Sequence, residues 1–75
     1  MALTEDLAEA LARDVIAAQR ELGDKAERLF MEVGNYIGTS SPSMQEAFMT
    51  ACRAYMAADR GRDFFEARLK ALKGE

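Results

Sequence analysis

The segment Gly38-Thr39-Ser40-Ser41-Pro42 separates two long stretches of helical pattern near the middle of this 75-residue chain. Pro42 is the only proline, and proline suits the first position of a helix, where no backbone N–H is needed. Ser41 is a residue type that caps helix N-termini, and Gly38 suits a helix C-terminus. The glycine spacing and the lysine of a phosphate-binding loop are absent. The segment therefore predicts a turn over residues 38–41; phosphorylation at Ser41-Pro42 stays open, although capping explains the serine without it.

Apolar residues on both sides of this turn recur at steps of three and four, which is the pattern of one face of an α-helix. They predict a helix over about residues 4–37 and a second over about residues 42–73 of a single domain, 1–75. The first stripe contains Leu7, Leu11, Val15, Ala18, Leu22, Ala26, Leu29, Val33 and Tyr36. The second contains Met44, Phe48, Ala51, Tyr55, Ala58, Arg62, Phe65, Leu69 and Leu72.

Gly23 and Gly61 leave two all-α interpretations open. Each glycine is followed by an acidic residue and then a glutamate, which is typical of one helix ending and another beginning. The chain is then either an antiparallel hairpin of two long helices or a compact four-helix array broken at both glycines. Both stripes run through the glycines in register, and a glycine inside a helix costs only ~1 kcal/mol. The hairpin is therefore favoured.

The composition indicates a folded protein without catalytic chemistry. The chain is 49% hydrophobic and 31% charged, which is typical of a folded domain. It contains no histidine, so Cys52 lacks the usual base of a thiol nucleophile, and Cys/His zinc sites and Glu-x-x-His di-metal sites are excluded. We expect no enzyme activity, no catalytic residue, no metal and no cofactor.

Charge and hydropathy also restrict the location and the partners. The net charge of −3 disfavours general nucleic-acid binding. No apolar run approaches the ~20 residues of a membrane span, and the acidic start of the chain lacks the basic region of a signal peptide. One unpaired cysteine favours a reducing compartment. We expect a cytoplasmic protein that does not enter a membrane.

The segment 44–58 is apolar over an unusually wide arc. Its polar residues, Gln45, Glu46, Thr50 and Arg53, occupy only about 140° of the helical wheel, whereas a surface helix needs an apolar stripe of only ~100°. One antiparallel neighbour does not cover such an arc, so a homodimeric four-helix bundle is predicted. The expected protein-interface residues are Met44, Phe48, Met49, Cys52, Tyr55, Met56 and Phe65.

The C-terminal stretch is basic. Such cations are a candidate contact for an acidic partner or a phosphate, although cations near a helix C-terminus also stabilise the helix itself. The residues concerned are Arg60, Arg62, Arg68, Lys70 and Lys73.

Together these features predict a small non-enzymatic protein–protein interaction module, such as an adaptor, regulator, inhibitor or assembly subunit. Its expected partners are a second copy of itself and an unidentified protein. One alternative is a nucleic-acid-associated regulator that uses the basic C-terminal arm. Another is a helical-hairpin subunit of a secretion or filament assembly.

The filament alternative is motivated by a resemblance of residues 42–60 to a known family of helical hairpins. The spacing of Pro42, Phe48, Tyr55 and Arg60 resembles that of type III secretion needle subunits, which are helical hairpins with a proline-containing turn and aromatics on the second helix. The likeness is confined to residues 42–60 and departs at Cys52 and in the short C-terminal tail. It assigns no family to this chain.

Overall fold

The computed structural model describes residues 2–74. The chain forms helix α1 (Leu3–Leu22), a 3₁₀ turn (Gly23–Ala26), helix α2 (Leu29–Gly38) and helix α3 (Pro42–Leu72). Every regular element over the described residues is helical, which confirms the predicted all-α class. The helices number three, so neither the two-helix hairpin nor the four-helix array describes the fold of the single chain.

The predicted first helix, residues 4–37, is interrupted at Gly23. This residue has φ 66° and ψ −137°, a backbone conformation that is open almost only to glycine. After the 3₁₀ turn, the side-chain oxygen of Gln19 in α1 accepts a hydrogen bond of 2.8 Å from the backbone N–H of Phe30. The apolar stripe stays in register because Ala26, inside the turn, still reaches the interior. A continuous stripe therefore did not require a continuous helix.

The chain does not break at Gly61, and α3 continues from Pro42 to Leu72. The hydroxyl of Ser41 caps this helix by accepting a hydrogen bond of 3.1 Å from the backbone N–H of Met44, and Pro42 occupies the first turn. Both features agree with the sequence-based prediction for this turn. Gly61 has an ordinary helical backbone, unlike Gly23, and a glycine in a helix costs only about 1 kcal/mol.

Helices α1 and α3 lie side by side and run in the same direction. Near the start of both helices, Glu5 borders a groove together with Ala47. Near the end of α1, the guanidinium of Arg20 donates hydrogen bonds of 2.8 and 2.9 Å to the carboxylate of Asp59. An antiparallel pair of arms was expected, and the break at Gly23 is the reason for the difference, because it turns the chain back once before α3 begins.

Helix α2 runs antiparallel to α3 and packs closely on it through two glycines. A Cβ atom on Gly34 would lie 2.6 Å from the sulfur of Met49, and a Cβ atom on Gly38 would lie 2.6 Å from the side-chain oxygen of Gln45. A side chain at either position would have to displace the flexible side chain of Met49 or Gln45. The two glycines therefore allow the close α2–α3 contact that completes an up–down–up arrangement.

The interior is small and is built largely from small side chains. On α1 the buried face differs from the predicted stripe: Val15 is buried, but Leu7, Leu11 and Leu22 are exposed. The neighbouring face, which is rich in alanine, packs on α3 instead, because small side chains allow the two helices to approach closely. The buried residues are Ala8, Ala12, Val15, Ile16, Ala26, Phe48 and Cys52.

The C-terminal part of α3 projects beyond the other helices. Every residue from 60 to 72 is exposed, and this segment, here called the α3 extension, is about 20 Å long at 1.5 Å per residue. The molecule measures 52 × 32 × 14 Å and has a radius of gyration of 15.1 Å. A compact domain of this length would have a radius of gyration of about 11 Å. The single chain is therefore unusually extended for its size.

Replacing Gly23 or Gly61 by alanine tests the two backbone assignments. A Cβ atom at either position meets no atom within 4 Å, so any difference between the variants comes from the backbone. We expect Gly23→Ala to lower the free energy of unfolding by about 1–3 kcal/mol because of strain at positive φ. We expect Gly61→Ala to raise it by up to about 1 kcal/mol. Urea unfolding followed by circular dichroism measures both, and changes of the same sign would contradict the break at Gly23.

Candidate interaction surface

The α3 extension carries large apolar side chains that are exposed in the single chain. Phe64, Phe65 and Leu72 are 70%, 53% and 72% exposed, and Leu69 is also exposed. At 100° per residue these four lie within an arc of about 140° on one side of the helix. Soluble monomers seldom expose grouped large apolar residues, and such groups usually mark interaction sites. This face is the leading candidate for a functional surface.

Basic side chains also lie along the α3 extension. The extension contains four cations and only two acids, Asp63 and Glu66, which gives it a net charge of +2, and Lys73 follows directly after the helix. No cation of residues 60–73 forms an ion pair within residues 2–74. The surface is thus apolar and positively charged at once. The four cations and Lys73 are the predicted contact residues Arg60, Arg62, Arg68, Lys70 and Lys73.

A shallow groove of about 550 Å³ lies between the N-terminal halves of α1 and α3. Alanines of α3 form its floor, and its rim is acidic and polar. We call it the alanine groove. Its lining consists of Ala47, Ala51 and Ala54, with Glu5, Glu9, Glu46, Ser43 and Thr50 around them.

Two carboxylates connect α1 to α3, Glu9 beside this groove and Asp59 near the end of α1. The hydrogen bond from the Tyr55 hydroxyl, and then that from Arg13, hold the pKa of Glu9 below its ordinary value. The hydrogen bonds from Arg20 likewise lower the pKa of Asp59. Both carboxylates are therefore charged at neutral pH, and Glu9 keeps the rim of the groove acidic even though it is paired.

The structure separates the predicted interface residues into three groups. Phe48 and Cys52 are 0% exposed in the single chain, so they have no surface left for a partner, and their assignment to a subunit contact is wrong. They fill the space between α1, α2 and α3 instead. The half-buried group packs against that core and consists of Met44, Met49, Tyr55 and Met56. Phe65 alone lies on a free surface.

Sequence reasoning overlooked Phe64 and the alanine groove. Phe64 lies outside the stripe with steps of three and four, so the periodicity did not select it. The alanines at 47, 51 and 54 were counted as part of an apolar arc on α3. The groove that they line depends on where α1 lies, which no local pattern reports.

The single cysteine of the chain, Cys52, is buried in the core. Burial raises the pKa of the Cys52 thiol to about 11, so it is protonated at neutral pH and is not a thiolate nucleophile. No cluster of three or more cysteine, aspartate or glutamate residues within residues 2–74 is placed to hold a metal ion. None of the helices in that range has both the length and the apolar character of a membrane-spanning segment.

A second apolar row lies on the outer face of α1. It consists of Leu3, Leu7 and Leu11, at intervals of four residues, and all three are exposed. Asp6 and Asp14 accompany the row on the same side of the helix. It differs from the α3 extension in its acidic surroundings.

Comparison with known proteins gave no relative for this chain: no protein-family model, no curated protein and no solved structure matches it.

Proposed function

We propose that this chain is a non-enzymatic protein–protein interaction module and that the apolar face of the α3 extension is its binding surface. The observation that carries the proposal is the exposure of Phe64, Phe65, Leu69 and Leu72 on one side of the α3 extension. An amphipathic helix presented in this way fits the helix-in-groove mode of recognition. The unpaired Cys52 thiol is consistent with a cytoplasmic location.

The energetics of the α3 extension support this proposal. The thirteen exposed residues at the end of α3 gain little from tertiary packing, whereas most helical stability in proteins comes from packing an amphipathic face. Apolar area removed from water contributes about 25 cal/mol per Å². A partner that covers this face therefore stabilises both the contact and the helix that makes it.

A nucleic-acid-associated regulator is the second candidate, because the four cations of the extension and Lys73 are exposed and unpaired within the described residues. Phosphate contacts would make binding strongly salt-dependent. The net charge of −3 and the large apolar residues between the cations favour a protein partner. A gel shift that disappears with rising salt would instead support this candidate.

Photo-crosslinking to a bound partner tests the proposed function. A photo-crosslinking amino acid replaces Phe65 on the apolar face of the α3 extension. The matched control places it at position 67, because Ala67 is also exposed but lies on the opposite side of the α3 extension. We expect a discrete crosslinked product from position 65 only, lost when Leu69→Glu is added and competed away by excess unmodified protein. The absence of any product from position 65, or equal products from both positions, would contradict the proposed function.

A further inference from the structure

We infer that the α3 extension of one copy binds the alanine groove of a second copy, so that two chains form a symmetric antiparallel dimer. The inference rests on the proposed function and names the partner of that surface. It follows from three properties of the molecule: the distribution of side-chain size along α3, the distribution of charge, and the area that the single chain leaves exposed.

Side-chain size changes along one face of α3. At 100° per residue, a single stripe runs the length of the helix, and its residues are small in the first half and large in the second. When two such helices pack antiparallel, the large half of each meets the small half of the other, and the packing is self-complementary as two-fold symmetry requires. The small half contains Ser43, Ala47, Ala51, Ala54, Ala58 and Gly61, and the large half contains Phe65, Leu69 and Leu72.

Full overlap of the two α3 helices sets the register. It places Pro42 opposite Leu72 of the second copy, because these residues begin and end the helix. Phe65 then lies over the floor of the alanine groove, between the levels of Ala47 and Ala51. The two-fold axis passes close to Ala58, where small side chains allow the helices to approach.

The charges complement one another in this register. Arg68 lies opposite Glu46, on the side of the groove that faces away from α1. On the other side, Arg62 and Lys73 approach the α1 rim of the groove. That rim carries Glu9 and Glu5. A segment of net charge +2 thus meets an acidic groove, and the same contacts occur twice in a symmetric dimer.

The exposed area agrees with one buried interface. The single chain exposes 5636 Å², whereas a compact monomer of 8.3 kDa exposes about 4,600 Å². The excess of about 1,000 Å² is close to the ~800 Å² that each partner contributes to a standard protein–protein interface. Insertion of the α3 extension into a groove on a second copy would remove an excess of exposed area of about this size.

Analytical ultracentrifugation of the full chain at micromolar concentration is the first test. We expect a species of twice 8.3 kDa. We also expect Ala54→Leu to lower the dimer population strongly, because it fills the groove, and Ala67→Leu, on the opposite face of α3, to leave it unchanged. Both sites are exposed in the single chain, so circular dichroism should show unchanged helical content. A dimer that tolerates Ala54→Leu would overturn the proposed contact.

Oxidative crosslinking reports the position of the axis. Ala58→Cys should form a disulfide-linked dimer, because residue 58 lies near residue 58 of the second copy. Ala67→Cys should not form one, and the buried Cys52 is present in both variants. Efficient crosslinking at 67 with none at 58 would exclude the antiparallel arrangement.

Charge exchange reports the register. Arg68→Glu and Glu46→Arg should each weaken dimerisation about tenfold or more, since like charges then face each other twice. The double variant restores the opposite-charge pair and should recover most of the affinity. Failure of the double variant to recover affinity would exclude this register.

The outcomes separate this inference from the proposed function. A monomer at all concentrations, together with a crosslinked product of another mass from position 65, would overturn the dimer and leave the interaction module standing. A monomer without any product from position 65 would overturn both. Polymers that grow with concentration would overturn the closed dimer in favour of a filament subunit.

Discussion

Phe48→Ala is expected to unfold most of the protein at room temperature. Phe48 is 0% exposed and is the largest side chain in the core, and removing a buried phenylalanine side chain costs about 3–5 kcal/mol. A chain of fewer than ~80 residues seldom has more than about 3–5 kcal/mol from its core. The loss therefore equals most of the stability available. Circular dichroism should show a large loss of helical signal, and the thermal transition should broaden or disappear.

Tyr36→Ala is the matched control, because it removes an aromatic side chain that is 79% exposed and lies outside the α3 extension. Exposed substitutions of this kind change stability by about ±0.5 kcal/mol. The two variants must be compared at one protein concentration, since the proposed dimerisation would make apparent stability depend on concentration. Similar effects of the two variants would show that Phe48 does not fill the core.

Ala12→Asp should be almost as damaging. Ala12 is fully buried at the contact between α1 and α3, where no space and no partner exist for a carboxyl group. An unpartnered polar group in an apolar interior costs roughly 2–7 kcal/mol. We expect the urea midpoint to fall sharply, and part of the loss to be recovered at low pH, where the carboxyl group is neutral.

Ala17→Asp provides the control on the same helix. Ala17 is exposed, so this variant carries the same change in helix propensity and charge but no burial. Its free energy of unfolding should stay within about 1 kcal/mol of the unmodified chain. Equal destabilisation at both positions would mean that helix propensity, rather than the close α1–α3 contact, accounts for the effect.

The sequence identified part of the candidate site. The basic residues of the C-terminal stretch and Phe65 lie on the exposed face of α3 that now forms the α3 extension. Phe48 and Cys52 were assigned to the wrong surface, because an apolar arc on a helix does not reveal which neighbour covers it. Their actual neighbours include Ala8 and Ala12, which are about 40 residues away along the chain.

What the sequence determined by itself was local: the helical class, the turn at residues 38–41 with Ser41 as the cap, and the lack of a histidine for acid–base or metal chemistry. These depend on residues within about one helical turn of each other. The tertiary structure decided the rest. It broke the chain at Gly23 and not at Gly61, since Gly23, unlike Gly61, adopts positive φ. It buried the alanine face of α1 in place of the leucine face, because small side chains allow close helix packing. It also left residues 60–72 exposed, because α1 ends at Leu22 while α3 continues to Leu72. This difference in length has an effect only when the two distant segments are packed together.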